Sequence, residues 1–232
     1  MAPKVLVVLT SQDKIPGSNE PTGWYLSEFA HPWHVLKDKA ELVIASPKGG
    51  EAPLDPGSME AVKNDAISSA FAKEQKGLWS NTKKLADLNP NDYDAIFYVG
   101  GHGPMFDLAT DKTSLEFIRA FVSAKKPVSA VCHGPAALVN AIDATGQPLL
   151  KGATVTGFSN VEEGQLGKAA LMPFELETEL NKASGGRYVK AEQPWGEKVV
   201  VSKAAVTGAL VITGQNPASA TGVGREILKA LV

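Results

Sequence analysis

The sequence predicts an α/β fold in which a mostly parallel central sheet is sandwiched by helices. Short β-branched apolar runs alternate with longer amphipathic stretches along the 232 residues. The apolar runs are hydrophobic throughout instead of alternating with polar positions, as strands buried on both faces must be. Two of the runs end in turns rich in glycine, histidine and proline, where open α/β sheets carry their ligands.

Taken in order, residues 5–9 read as the first strand and the polar residues 10–22 as a loop. Between Gly23 and Lys37, Trp24, Leu26, Phe29, Trp33 and Leu36 recur at roughly helical spacing, although Pro32 interrupts the pattern. Residues 42–45 form a second strand, and 47–57, with three prolines and three glycines, a loop. Residues 58–88 are patterned as a polar helix with a break near Lys76 and Gly77. A third strand is expected at 95–99, a helix at 114–125, a fourth strand at 128–131 and a helix at 136–144. Another strand is expected at 153–156. The run from Phe174 to Leu180 opens a further helix, its early acidic residues suited to the positive end of the dipole. Strands at 199–201 and 210–213 and a helix at 218–232 close the chain. No repeat, low-complexity tract or linker interrupts this order, so residues 1–232 are expected to form a single domain.

Composition narrows the function. Hydrophobic residues at 44% and charged residues at 21% describe a globular chain, not a disordered one. The net charge of −2 comes without any basic block, which argues against nucleic acid or an anionic membrane as partner. One cysteine precludes an internal disulfide framework and fits a reducing compartment. The five apolar residues 5–9 are too few for a signal-peptide core or a membrane span. A cytoplasmic location is expected, with the nucleus also open to such a protein.

The chemistry is concentrated at two strand ends. In the first, an apolar strand stops on Cys132 and passes through His133, Gly134 and Pro135 into a helix, the layout of a nucleophile elbow. The helix N-terminus is expected to favour a thiolate and stabilise an oxyanion. A free cysteine is more often a buried structural residue, but this junction favours the nucleophile. The second strand end is Gly100-Gly101-His102-Gly103-Pro104. Consecutive glycines let backbone amides approach a ligand, and the Gly101 N–H, with His102 beside it, is a candidate oxyanion donor. The segment lacks the glycine spacing of a dinucleotide site and the Lys-Ser/Thr of a phosphate loop.

His133 is a candidate general base or a helix cap. Cysteine–histidine catalysis needs a group to orient the imidazole. Glu162 and Glu163 can reach the same sheet edge, although their composition alone reads as a solvated acidic loop. Glu28 reads by periodicity as an exposed helical glutamate; if it faces the cleft, burial would raise its pKa and let it share a proton with the thiol. His31 and His34, spaced i, i+3, suit packing or surface roles better than a metal site.

Together these residues identify a resemblance to the ThiJ/PfpI superfamily, relatives of class I glutamine amidotransferases that include the parkinsonism-associated deglycase. The matching features are Glu28-Phe-Ala-His31-Pro32, the loop from Gly100 to Gly103 with Asp107 after it, and the segment from Ala130 to Pro135. Thr156-Gly157-Phe158 followed by Glu162 and Glu163 matches too, as does the segment from Thr213 to Pro217. The long loop after the first strand and the Glu-x-x-His-Pro segment resemble the heat-shock-type branch, which includes the glutathione-independent glyoxalases, also called glyoxalase III or D-lactate dehydratase. Residues 159–161 depart from that branch's more acidic, proline-containing stretch.

The resemblance implies a flavodoxin-like, glutamine amidotransferase-like fold and a Cys132–His133–Glu163 triad with Glu28 contacting the thiol. It also implies a lyase that converts 2-oxoaldehydes such as methylglyoxal to D-lactate without cofactor or metal, and a homodimer. Deglycation, amide or peptide hydrolysis, a holding-chaperone role and redox sensing by Cys132 are the alternatives it leaves.

Overall fold

The structure, a computed structural model, describes residues 2–205 and 207–232. Seven strands form one sheet: β1 (Lys4–Val8), β2 (Glu41–Ser46), β3 (Lys83–Lys84), β4 (Ala95–Tyr98), β5 (Val128–Val131), β6 (Val199–Lys203) and β7 (Leu210–Gly214). Their order is β3-β2-β1-β4-β5-β7-β6. Every neighbouring pair is parallel except β6 with β7, which is antiparallel. β4 and β5 are buried at every position, and β1 at all but its first. Their uninterrupted apolar runs reflect helices on both faces.

The helices are α1 (Leu26–Leu36), α2 (Pro56–Ala61), α3 (Ala66–Glu74), α4 (Gly77–Ser80), α5 (Lys112–Ser123), α6 (Ala136–Val139), α7 (Asn160–Leu166), α8 (Leu176–Ser184) and α9 (Ala220–Ala230). α1 and α9 pack closely, because a Cβ at Gly224 would lie 2.8 Å from the Pro32 Cα. The ring of His31 bridges Asp65 at 2.7 Å and Thr221 at 2.9 Å, tying α1 to α3 and α9.

Three expectations about elements need correction. Residues 58–88 are not one interrupted helix. Asp55 and Asp65 each cap a new helix by accepting the N–H of Ser58 and Ser68, and Lys83–Lys84 pairs with β2 as an edge strand. The helix expected at 136–144 stops at Val139, since Asp143 folds the next residues into a turn by accepting from Thr145 and Gln147. Residues 153–156 are not a strand of the sheet. Both edges of β7 are already taken by β5 and β6, and Val155 makes a single bridge to Tyr188.

Candidate active site

The elbow forms where β5 runs out. The Cys132 N–H continues the ladder to the Gly214 carbonyl at 2.9 Å, and the Gly134 N–H closes the turn on Val131 at 2.7 Å. Between them Cys132 adopts φ 59°, a left-handed conformation that costs an L-residue about 1–2 kcal/mol. The Phe158 N–H holds the Cys132 carbonyl at 2.8 Å. The strain aims the thiol into a cavity of about 250 Å³ lined by Tyr25, Gly101, His102, His133, Phe158 and Trp195, among others. Cys132 is 3% exposed, but what exposure it has opens onto that cavity.

The carboxylate of Glu28 lies beneath the thiol, brought there by α1 and fully buried. Only a glycine fits above it: a Cβ at Gly100 would fall against the Glu28 carboxylate and 2.8 Å from the Cys132 Cβ. The Glu28 oxygens lie beside the thiol and the Gly100 and Gly101 amides, but among the described residues neither makes a hydrogen bond of ordinary geometry. Burial therefore pushes this carboxyl well above the usual range, and it is neutral. The cleft-facing role considered for Glu28 replaces the exposed position that periodicity suggested.

Burial also pushes the Cys132 thiol up, and the Gly101 N–H opposes it. This corrects the expectation of a thiolate stabilised by a helix N-terminus. The helix after the elbow, Ala136–Val139, is a single turn and too short to carry a useful dipole. The resting thiol is neutral and needs a base.

His133 is placed to act as that base. His133 Nδ1 lies 3.4 Å from the sulfur, and its Nε2 lies 2.6 Å from Glu163 Oε2. His102 Nε2 reaches the other oxygen, Oε1, at 2.8 Å. Burial raises the Glu163 pKa, but the hydrogen bonds from His102 and His133 outweigh it and hold the carboxyl well below the usual range. An ionised Glu163 can only accept, so both imidazoles carry their proton on Nε2. His133 Nδ1 thus presents a lone pair to the thiol. Burial, with His102 beside it, lowers the His133 pKa to about 4, so the ring is neutral near pH 7.

The backbone supplies candidate oxyanion donors. Gly101 adopts φ 92°, and a Cβ there would strike the Gly23 carbonyl, so the position requires glycine. Among the described residues the His133 N–H has no protein acceptor, which leaves it free opposite the thiol. Ligand atoms of His102, His133 and Glu163 lie within 4.8 Å of one another, the one such trio among the described residues. Here they are bonded to each other.

The structure thus brings Cys132, His133, Glu163, Glu28, Gly101 and His102 to one place, at the carboxyl ends of β4 and β5. Asp107 fastens the loop after β4 to that after β1, accepting Thr10 Oγ1 at 2.8 Å and the Ser11 N–H at 2.7 Å. The sequence reading missed α7, which delivers Glu163, and took its acidic pair for a solvated loop. The signal was present: Ser159 and Glu162 form a reciprocal capping box. Phe158 and Trp195 as cavity walls were also missed, and no local pattern marks them.

These features define a class: an α/β enzyme with a cysteine elbow fed by a histidine–glutamate pair. Residues 22–230 match the DJ-1/PfpI family, and the chain belongs to it. It is 34% identical to Glyoxalase 3 of Candida albicans over 98% of both chains. It is 29% identical to the glutathione-independent glyoxalase HSP31 of Saccharomyces cerevisiae, over 100% of this chain and 99% of that one. The crystal structure of the rapid encystment protein REP24 of Francisella tularensis superposes with a TM-score of 0.90 at 36% identity, covering 99% of each chain.

Proposed function

We propose that this protein is a glutathione-independent glyoxalase that converts 2-oxoaldehydes to 2-hydroxy acids on Cys132. The observation that carries the reading is the hydrogen-bonded series Cys132–His133–Glu163 at the floor of a cavity. The names of the two curated relatives support it.

In the reaction, His133 Nδ1 takes the thiol proton as sulfur adds to the aldehyde carbon. The resulting hemithioacetal oxygen meets the N–H groups of Gly101 and His133, each such donor being typically worth ~3 kcal/mol. Its proton is supplied by the imidazolium, which Glu163 stabilises. His133 then removes the C1 hydrogen as a proton and returns it to C2 through an enediolate, contributing about 10²–10⁴-fold as a positioned acid–base group. The product is a 2-hydroxyacyl thioester, and water cleaves it to the free acid and the thiol. The overall change adds one water. C1 is oxidised and C2 reduced within one molecule, so the electrons balance without an external acceptor. Neutral Glu28 donates to the sulfur as charge develops there. A lyase of the D-lactate dehydratase type is the corresponding class for methylglyoxal.

The test is a stereospecific lactate assay with methylglyoxal and no glutathione. Wild type should form D-lactate and Cys132→Ala should form none above background. Lactate production by Cys132→Ala at near the wild-type rate would exclude the scheme.

A further inference from the structure

The cavity has room for something larger than a methyl group. Phe158, Leu166 and Trp195 line it together with Cys132 and His133 and supply an apolar wall. The rings run as one series. His102 and His133 lie 4.2 Å apart between centroids, His133 and Phe158 4.4 Å, and Phe158 meets Trp195 edge-on at 5.5 Å. At about 250 Å³ the cavity is roomier than methylglyoxal needs, and that substrate would leave most of the wall uncovered.

Trp195 is held in place at a cost. Its backbone has φ 65°, one of three positive-φ non-glycine residues among those described, and such strain costs of order 1–3 kcal/mol and concentrates at ligand clamps. What over-determines it is Glu162. This fully buried carboxylate accepts the Trp195 N–H at 2.9 Å, and also Asn216 Nδ2 at 2.8 Å, Gln215 Nε2 at 3.0 Å and the Ser159 N–H at 2.9 Å. The indole N–H is separately fixed by Gln165 Oε1 at 2.6 Å. A bulky indole is thus pinned from both its backbone and its ring, although 41% of the residue remains exposed. An exposed tryptophan with that much support is explained by contact with a ligand.

We propose that Trp195, with Phe158 and Leu166, forms a subsite for the substituent on the ketone carbon of the substrate, and that the protein prefers 2-oxoaldehydes with an aromatic tail over methylglyoxal. Trp195 is the residue that determines this preference, and Glu162 is a positioning residue that acts through it. Burial of an aromatic tail between Phe158 and Trp195 adds apolar contact and edge-to-face ring packing that a methyl group cannot make. The inference rests on the glyoxalase reading above.

The experiment measures kcat and KM for methylglyoxal and for phenylglyoxal, following disappearance of the aldehyde, with wild type, Trp195→Ala and Trp195→Phe. Wild type should show kcat/KM for phenylglyoxal at least tenfold above that for methylglyoxal, carried by KM. In Trp195→Ala that ratio should fall at least fivefold, again through KM, and Trp195→Phe should restore most of it. A wild-type ratio near one, or a ratio that Trp195→Ala leaves unchanged, overturns the subsite while leaving the glyoxalase reading intact. Failure of wild type to turn over either aldehyde overturns both.

Discussion

Two glutamates flank the Cys132–His133 pair, and their carboxyl groups are shifted in opposite directions. Glu28 comes from α1 below the sulfur, fully buried and without a well-formed hydrogen bond among the described residues. Glu163 comes from α7 beyond the imidazole and receives two ring N–H donors. Burial opposes ionisation at both. The number of donors decides the outcome: none well aligned leaves a neutral acid, two leave a carboxylate. One residue type therefore supplies an acid on one side of the nucleophile and an anchor on the other, a pairing by which α/β and other folds run acid and base chemistry together.

Substitution by glutamine, nearly isosteric and always neutral, should separate the two. Glu163→Gln removes the carboxylate on which two ring N–H groups converge and leaves one of them without an acceptor, at a cost of about 1–3 kcal/mol. Turnover should fall by about 10²–10⁴ as His133 loses its orientation, and the melting temperature should drop by roughly 5 °C. Rates and thermal melts measured on one preparation check both. In Glu28→Gln the charge state of the fold is unchanged, so Tm should move by under about 4 °C. The thiol should instead become harder to ionise, because an amide is a weaker donor to the developing thiolate than the neutral carboxyl it replaces. The midpoint of the pH profile for iodoacetamide alkylation should shift upward. A downward shift would mean that Glu28 is charged beside the thiol and would reverse the role assigned to it.

The acid branch of stability sharpens the contrast further. His133 has a folded pKa of about 4, below the 6.5 of an unperturbed histidine. The stability it contributes is fully present above pH 6.5 and is lost as pH falls toward 4. Glu28 has the opposite sign: its folded pKa is raised, so its contribution is present below the unfolded value of 4.5 and is lost as pH climbs. Above pH 4.5, while Glu28 keeps its proton in the folded state, its contribution offsets that of His133 in the wild type. Glu28→Gln should unmask His133, with a slope of stability against pH steeper by about 1.4 kcal/mol per unit. Urea unfolding at several pH values between 4.5 and 6.5 measures it; parallel curves for wild type and variant would contradict the neutral Glu28.

The smallest effect concerns His31 of α1. His31→Ala should cost about 1 kcal/mol through loss of its bridge to Asp65 and Thr221. Denaturant unfolding would register it as a lower midpoint with an unchanged slope.

The strands and the elbow were legible because each is a local property. A run such as residues 128–131 is apolar at positions that face helices on both sides, and its end on Cys132 and His133 is a contiguous signal. Histidine 133 next to its cysteine is the same kind of observation. Glu163 was legible only by resemblance, because it is 30 residues away from His133 along the chain and its helix was read as a loop. Glu28 illustrates the opposite error, since a glutamate between Leu26 and Phe29 looks solvent-facing until the turns after β4 and β5 close over it. The strand expected at 153–156 failed for a similar reason. Its composition suits a strand, but strand pairing requires a free edge, and β6 occupies the one it would need.

The amino-acid sequence determined the layered α/β architecture and the place of the Cys132 elbow, because hydrophobic periodicity and turn chemistry act over a few neighbouring residues. Tertiary structure alone decided which glutamate is charged, whether the thiol rests neutral, and where Trp195 stands. Those properties depend on how many donors, how much burial and which distant segments converge on a single point. Residues from 28 to 195 meet there, and no stretch of chain holds them together before folding.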